Sequence, residues 1–143
     1  MNRPPTETLR EGCAILDPVM SGHGFHFVEA GAGCGSGGPF ASGAYVNADR
    51  RLEIHYRFSL GLVAYHFGLI SIDHQSYMHV LLGEDGGNKY PGFSDDPLAA
   101  FHDLAHDLQS FATAFLEGDS KKFGDCAKAA EEWKKLPGIA RLP

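Results

Sequence analysis

Arg-Leu-Glu-Ile-His-Tyr-Arg-Phe-Ser-Leu-Gly-Leu-Val-Ala-Tyr-His-Phe, residues 51–67, alternates polar and apolar side chains with a period of two, turns, and alternates again. Successive side chains of a strand point to opposite faces, so the stretch reads as a β-hairpin with one buried and one wet side. With a tight connection around Ser59 and Leu60, Leu52, Ile54 and Tyr56 share the buried face with Val63, Tyr65 and Phe67. The opposite face then carries Glu53, His55, Arg57 and His66. This register sets Glu53 across from His66, within hydrogen-bond reach.

Upstream of the hairpin, a first helix is predicted from Thr8 to Met20. Thr8-Leu9-Arg10-Glu11 has the form of a capping box, Leu9, Cys13, Leu16 and Met20 recur at helical spacing, and Pro18 is expected to break or kink the last turn. Gly24 to Ala30 alternates as a strand and Phe40 to Val46 as a second. The segment between them, with glycine at 31, 33, 35, 37 and 38, reads as loop.

Downstream, Leu69 to Ile72 adds a short strand, and Asp73 is placed to N-cap a helix that ends at Leu82 before Gly83. A long loop follows from Gly83 to Ser94, of a length that is often functional. Asp96-Pro97 then opens a helix whose stripe of Leu98, Phe101, Leu104, Leu108, Phe111 and Phe115 is the cleanest helical period in the chain. A last helix follows Gly118-Asp119, with Phe123, Cys126, Ala130 and Trp133 facing inward. Strands run together and helices run together, in the order α-β-β-β-β-(β)-α-α-α. That order predicts an α+β fold, an antiparallel meander of four to five strands packed on one face by helices. Residues 1–143 read as a single globular domain, with no repeat or linker to divide them.

The composition, 43% hydrophobic and 21% charged, is that of a folded globular protein. Its net charge of −6 argues against non-specific nucleic-acid binding, which needs basic surface to displace counterions. The charge is concentrated. Between Pro91 and Ser120 stand Asp95, Asp96, Asp103, Asp107, Glu117 and Asp119, with no Lys or Arg. Take these six from the chain's 18 acids and the remaining 12 match its 12 Lys and Arg, so this segment holds the whole imbalance. It reads as a solvated helix face or as an acidic patch for a basic partner. Cys13, Cys34 and Cys126 have no Cys-x-x-Cys spacing, which fits a reducing compartment rather than a disulfide scaffold or zinc knuckle. With no apolar leader and no apolar run long enough to span a bilayer, a cytoplasmic protein is expected.

Several patterns invite a chemical reading. Gly33 to Gly38 contains the letters of a dinucleotide fingerprint, yet Pro39 and a second strand follow where a helix would have to open, and no phosphate-loop lysine is present. Cys34 and Ser36 in the same segment lack the strand-to-helix elbow of a nucleophile, and only His26 suggests a base. His102 and His106 lie four apart on one helix side, as paired metal ligands would, but the spacing names no third ligand, so the pair reads as a polar helix face and no metal is predicted. The loop residues Glu84, Asp85, Asn88, Tyr90 and Phe93 lack the ladder of a calcium loop. Tyr90 and Phe93 suit either a contact surface or anchors beneath the loop.

These observations lead to an expectation of a small acidic binding protein without cofactors, most concretely an immunity- or antitoxin-type inhibitor of a basic partner such as a toxin nuclease. Its predicted partner-binding residues are Glu53, His55, Arg57, His66, Glu84, Asp85, Tyr90, Phe93, Asp95, Asp96, Asp103 and Asp107. The alternatives are a small histidine-dependent hydrolase, with or without a metal, and a structural subunit that dimerises through the open sheet face.

Overall fold

The structure, a computed structural model, describes residues 4–35, 38–83, 86–92 and 94–135. Helix α1 (Pro5–Ser21) is followed by strands β1 (His26–Gly35), β2 (Gly38–Asn47), β3 (Arg50–Tyr56), β4 (Leu60–Phe67) and β5 (Ile70–Asp73), and then by α2 (His74–Leu82), α3 (Ala99–Phe111), α4 (Thr113–Glu117) and α5 (Ser120–Lys135). The strands pair antiparallel in the order β1-β2-β3-β4-β5, giving the α+β meander that the element order predicts.

The hairpin alternation holds. Leu52, Ile54, Tyr56, Val63 and Tyr65 are buried beneath the helices, and Phe67 packs at the margin of the core. The connection is Arg57-Phe58-Ser59 rather than a turn on Ser59 and Leu60, and the ladder is irregular between Ile54 and Tyr56. The pairing therefore slips from the expected register. Glu53 faces Ala64, and His66 faces Arg51.

The described residues of the glycine-rich segment, 31–35 and 38, are strand rather than loop. β1 and β2 stay paired through Gly33↔Phe40 and on to Gly35↔Gly38, with a bulge between Glu29 and Gly31. Small residues leave the backbone groups of the two strands room to satisfy one another, which loop composition alone does not reveal. Gly43 in β2 answers a steric need, because a Cβ there would run into the ring of Phe27 and lie 2.8 Å from the Val28 carbonyl.

Helix α1 begins at Pro5 without a side-chain cap, so the expected capping box at Thr8 does not form, and Thr8 is buried inside the helix. A proline in the first turn has no N–H that needs a partner. Pro18 does not end the helix, which runs on to Ser21, held by the fully buried Leu16 and Met20. Asp73 caps α2 as expected, its carboxylate accepting the Ser76 N–H at 3.1 Å, and Gly83 closes the helix with φ 71°.

Asp96 accepts the Leu98 N–H at 2.9 Å in a turn that precedes α3, so the helix starts at Ala99 rather than at Pro97. Ala112 interrupts the long apolar stripe, dividing it between α3 and α4. Phe101, Leu104, Leu108 and Phe115 are fully buried, whereas Phe111 is half-buried, its ring in a T-shaped contact with His106. Arg50 fastens the end of α4 to the sheet by donating to the carbonyls of Phe115 and Leu116, with its guanidinium 5.0 Å from the centre of the Phe25 ring. Among the described residues, no helix is long and apolar enough to cross a membrane.

Candidate functional site

The tip of the β3–β4 hairpin stands between two clefts. The larger, about 710 Å³, opens between the tip, the start of α1 and the segment that enters α3. Tyr56, Phe58, Leu60, Tyr90 and Pro97 give it apolar walls, and Asp95, Asp96 and Asp103 give it an acidic one. The smaller, about 430 Å³, lies on the other side of the tip against Phe40, His55 and Gly61. The two share Tyr56, Arg57, Phe58 and Ser59. Phe58 is 77% exposed. A large ring held in water on a short turn is a costly place for an apolar side chain unless something covers it.

The charges at the tip are uncommitted. Among the described residues, Asp95 and Asp103 make no hydrogen bond or ion pair, and the Arg57 guanidinium makes none either, its Cζ lying 5.7 Å from the centre of the Phe40 ring. Unpaired charges of opposite sign therefore stand around one exposed aromatic.

On the open sheet face, Glu53 holds two imidazoles. Its Oε2 lies 2.7 Å from His55 Nε2, and its Oε1 lies 2.8 Å from His66 Nε2, reached diagonally because Ala64 takes the position directly opposite. The hydrogen bond from His55, and behind it that from His66, keep the Glu53 carboxyl below its ordinary range despite partial burial. With both Nε2 atoms donating to Glu53, each ring in its neutral form presents Nδ1 elsewhere as an acceptor. The trio can orient an imidazole, but it contains no nucleophile. Among the described residues, no group of three His, Cys, Asp or Glu side chains is placed to hold a metal ion.

Asp107, expected on an exposed helix face, is fully buried. Its carboxylate accepts the backbone N–H groups of Lys89 at 2.7 Å and Tyr90 at 2.8 Å, His74 Nε2–H at 3.0 Å and His106 Nδ1–H at 3.0 Å. His74 Nδ1 in turn receives the Tyr65 hydroxyl at 2.7 Å. The hydrogen bonds, led by that of His74, outweigh the cost of burial and keep the Asp107 carboxyl below its ordinary range. Tyr65, His74 and Asp107 are all closed to solvent, so this chain of donors and acceptors is a clasp and not a catalytic triad. Tyr90 is part of it, buried, with its single hydroxyl proton shared between the carbonyls of Leu60 and Gly61.

The predicted partner-binding residues thus divide. Arg57, Asp95, Asp96 and Asp103 meet in the larger cleft with Tyr90 in its wall, and His55 lines the smaller, with Glu53 and His66 adjoining. Asp107 is internal. Glu84, Asp85 and Phe93 lie outside the described residues, as does Ser36. His102 is exposed and His106 is tied to Asp107. Sequence reasoning missed Phe58, which breaks the polar–apolar pattern at the turn, and His74, which follows a cap and carries no periodic signal. For Asp107 a signal existed: three residues after Leu104 and one before Leu108, it flanks the inward stripe. Comparison of the chain with known protein families, with curated proteins and with solved structures finds no match.

Proposed function

We propose that this protein binds a basic protein partner through the β3–β4 tip and the acidic cleft beside it, as an immunity- or antitoxin-type inhibitor does when it covers a toxin nuclease. The observation that carries this reading is the exposed Phe58 beside the unpaired carboxylates of Asp95 and Asp103. An aromatic side chain surrounded by a polar rim is the usual composition of an energetic centre in a protein interface. Unpaired acids at its edge accelerate encounter with a basic surface and reject acidic ones. The concentration of the net charge in the segment that supplies this wall supports the same reading.

The test is affinity capture from cells of the native host, followed by binding measurements on the purified partner. A strongly basic protein retained at low salt and released at high salt is expected. Phe58→Ala and the double variant Asp95→Asn/Asp103→Asn should each lose it while remaining folded. Capture of the same proteins by wild type and variants alike would overturn the proposal.

The second reading, a histidine-dependent hydrolase, draws on the Glu53–His55–His66 arrangement. It requires turnover of a substrate that His55→Ala abolishes.

A further inference from the structure

The two clefts at the hairpin tip differ in charge. Three carboxylates line the larger; none lines the smaller, whose own lining adds Phe40, His55 and Gly61 to the shared residues, with the Glu53 carboxylate held behind the His55 ring. Arg57 borders both, but its guanidinium lies over the ring of Phe40, which belongs to the smaller cleft alone. The guanidinium is thus presented on that side, without a hydrogen bond or ion pair among the described residues. Phe58 forms the ridge between the two sides.

We infer that the smaller cleft is a carboxylate subsite, so that the partner segment seated across Phe58 carries a basic side chain on one side of an apolar contact and an acidic side chain on the other. The inference rests on the proposed binding of a basic partner and adds a polarity to it. A cation enters toward Asp95 and Asp103, and a carboxylate is gripped by the Arg57 fork, whose planar donors match its two oxygens. The cation–π contact with Phe40 restrains the guanidinium beforehand, which lowers the entropy lost when it binds. A uniformly basic surface would leave Arg57 facing like charge, so the arrangement selects among basic partners rather than accepting all of them.

The experiment is amide chemical-shift mapping on the intact chain with two probes, N-acetyl-arginine amide and N-acetyl-glutamate amide, and their neutral counterparts built on citrulline and glutamine. The arginine probe should move Gly92, Asp95 and Asp103, and the glutamate probe should move Phe40 and Gly61. Each should bind about five-fold more tightly than its neutral counterpart. Arg57→Gln should abolish the glutamate response and leave the arginine response at least as strong, and Asp103→Asn should weaken only the arginine response.

If the arginine response stands while the glutamate probe leaves Phe40 and Gly61 unmoved, or moves them equally in Arg57→Gln, the carboxylate subsite is overturned and the basic-partner reading survives. If the arginine probe is silent as well, both fall together.

Discussion

His74 and Asp107 meet in the interior, Nε2 3.0 Å from Oδ2, with the histidine side chain 2% exposed and the aspartate 0%. Around this contact four parts of the fold are joined: β4 through Tyr65, α2 through His74, α3 through Asp107 itself, and the loop before α3 through the amides of Lys89 and Tyr90. Every member has a partner, which is the condition under which a buried polar network holds a core in one arrangement.

Asp107→Ala should therefore cost about 3–5 kcal/mol, because it leaves buried His74, the buried Tyr90 amide and the part-buried Lys89 amide without an acceptor. Urea unfolding at pH 7 measures it. A cost below about 1 kcal/mol would show that the clasp contributes little.

The same carboxyl sets a dependence on acid. Its value in the folded state lies below the ordinary 3.8. Its stabilisation is then complete above that unfolded-state value and is lost as pH falls through the folded one. Wild type should weaken below about pH 4, and its advantage over Asp107→Asn should shrink between pH 6 and pH 3. Paired unfolding curves across that interval test the sign; a widening gap would contradict it.

Gly12 on α1 lies against the ring of Phe101 on α3, so closely that a Cβ there would overlap the ring carbons. Gly12→Ala should destabilise by about 1–3 kcal/mol through overpacking, despite alanine's better helix propensity. Adding Phe101→Leu should recover part of that loss. Simple additivity of the two changes would mean that the residues do not share the contact.

Leu108 and Phe111 belong to one stripe in the sequence but not in the core. Leu108→Ala should cost about 2–5 kcal/mol by leaving a cavity. Phe111→Ala should cost less, since its ring is half-buried against His106. Thermal unfolding of the two variants side by side decides the order.

Glu53 gives a local titration. Carboxyl carbon shifts should place its midpoint below the ordinary 4.5, with the His55 hydrogen bond as the largest cause. In His55→Ala the midpoint should move back toward 4.5 while global stability barely changes, because that imidazole stands at the surface. Unfolding of His55→Ala would show that this face of the sheet is structural.

The meander was legible because its signal is local. Alternation across Leu52 to Phe67 names the buried face, and the Asp73 cap and Gly83 stop bound a helix by chemistry within a few residues. The β1–β2 pairing was not legible, because glycine fits a loop and a close strand pair equally well until its partner is known. The hairpin register also escaped, since a connection on Arg57 to Ser59 moves the cross-strand neighbours of Glu53 and His66 by two residues without altering the alternation. Of the predicted partner-binding residues, the acids that share the larger cleft were recognisable as charge without a counter-charge. The clasp on Asp107 was not, because its partners His74, Lys89 and Tyr90 are brought to it only by the packing of α3 against the sheet.

Tyr90 reaches from the loop to the first carbonyls of β4, while its own amide hangs from Asp107. The acidic jaw of the larger cleft is thereby bolted to the very strand whose turn supplies the opposing jaw. Pulling on one must move the other, so a bound molecule would press against a preset gap of fixed width rather than close a hinge.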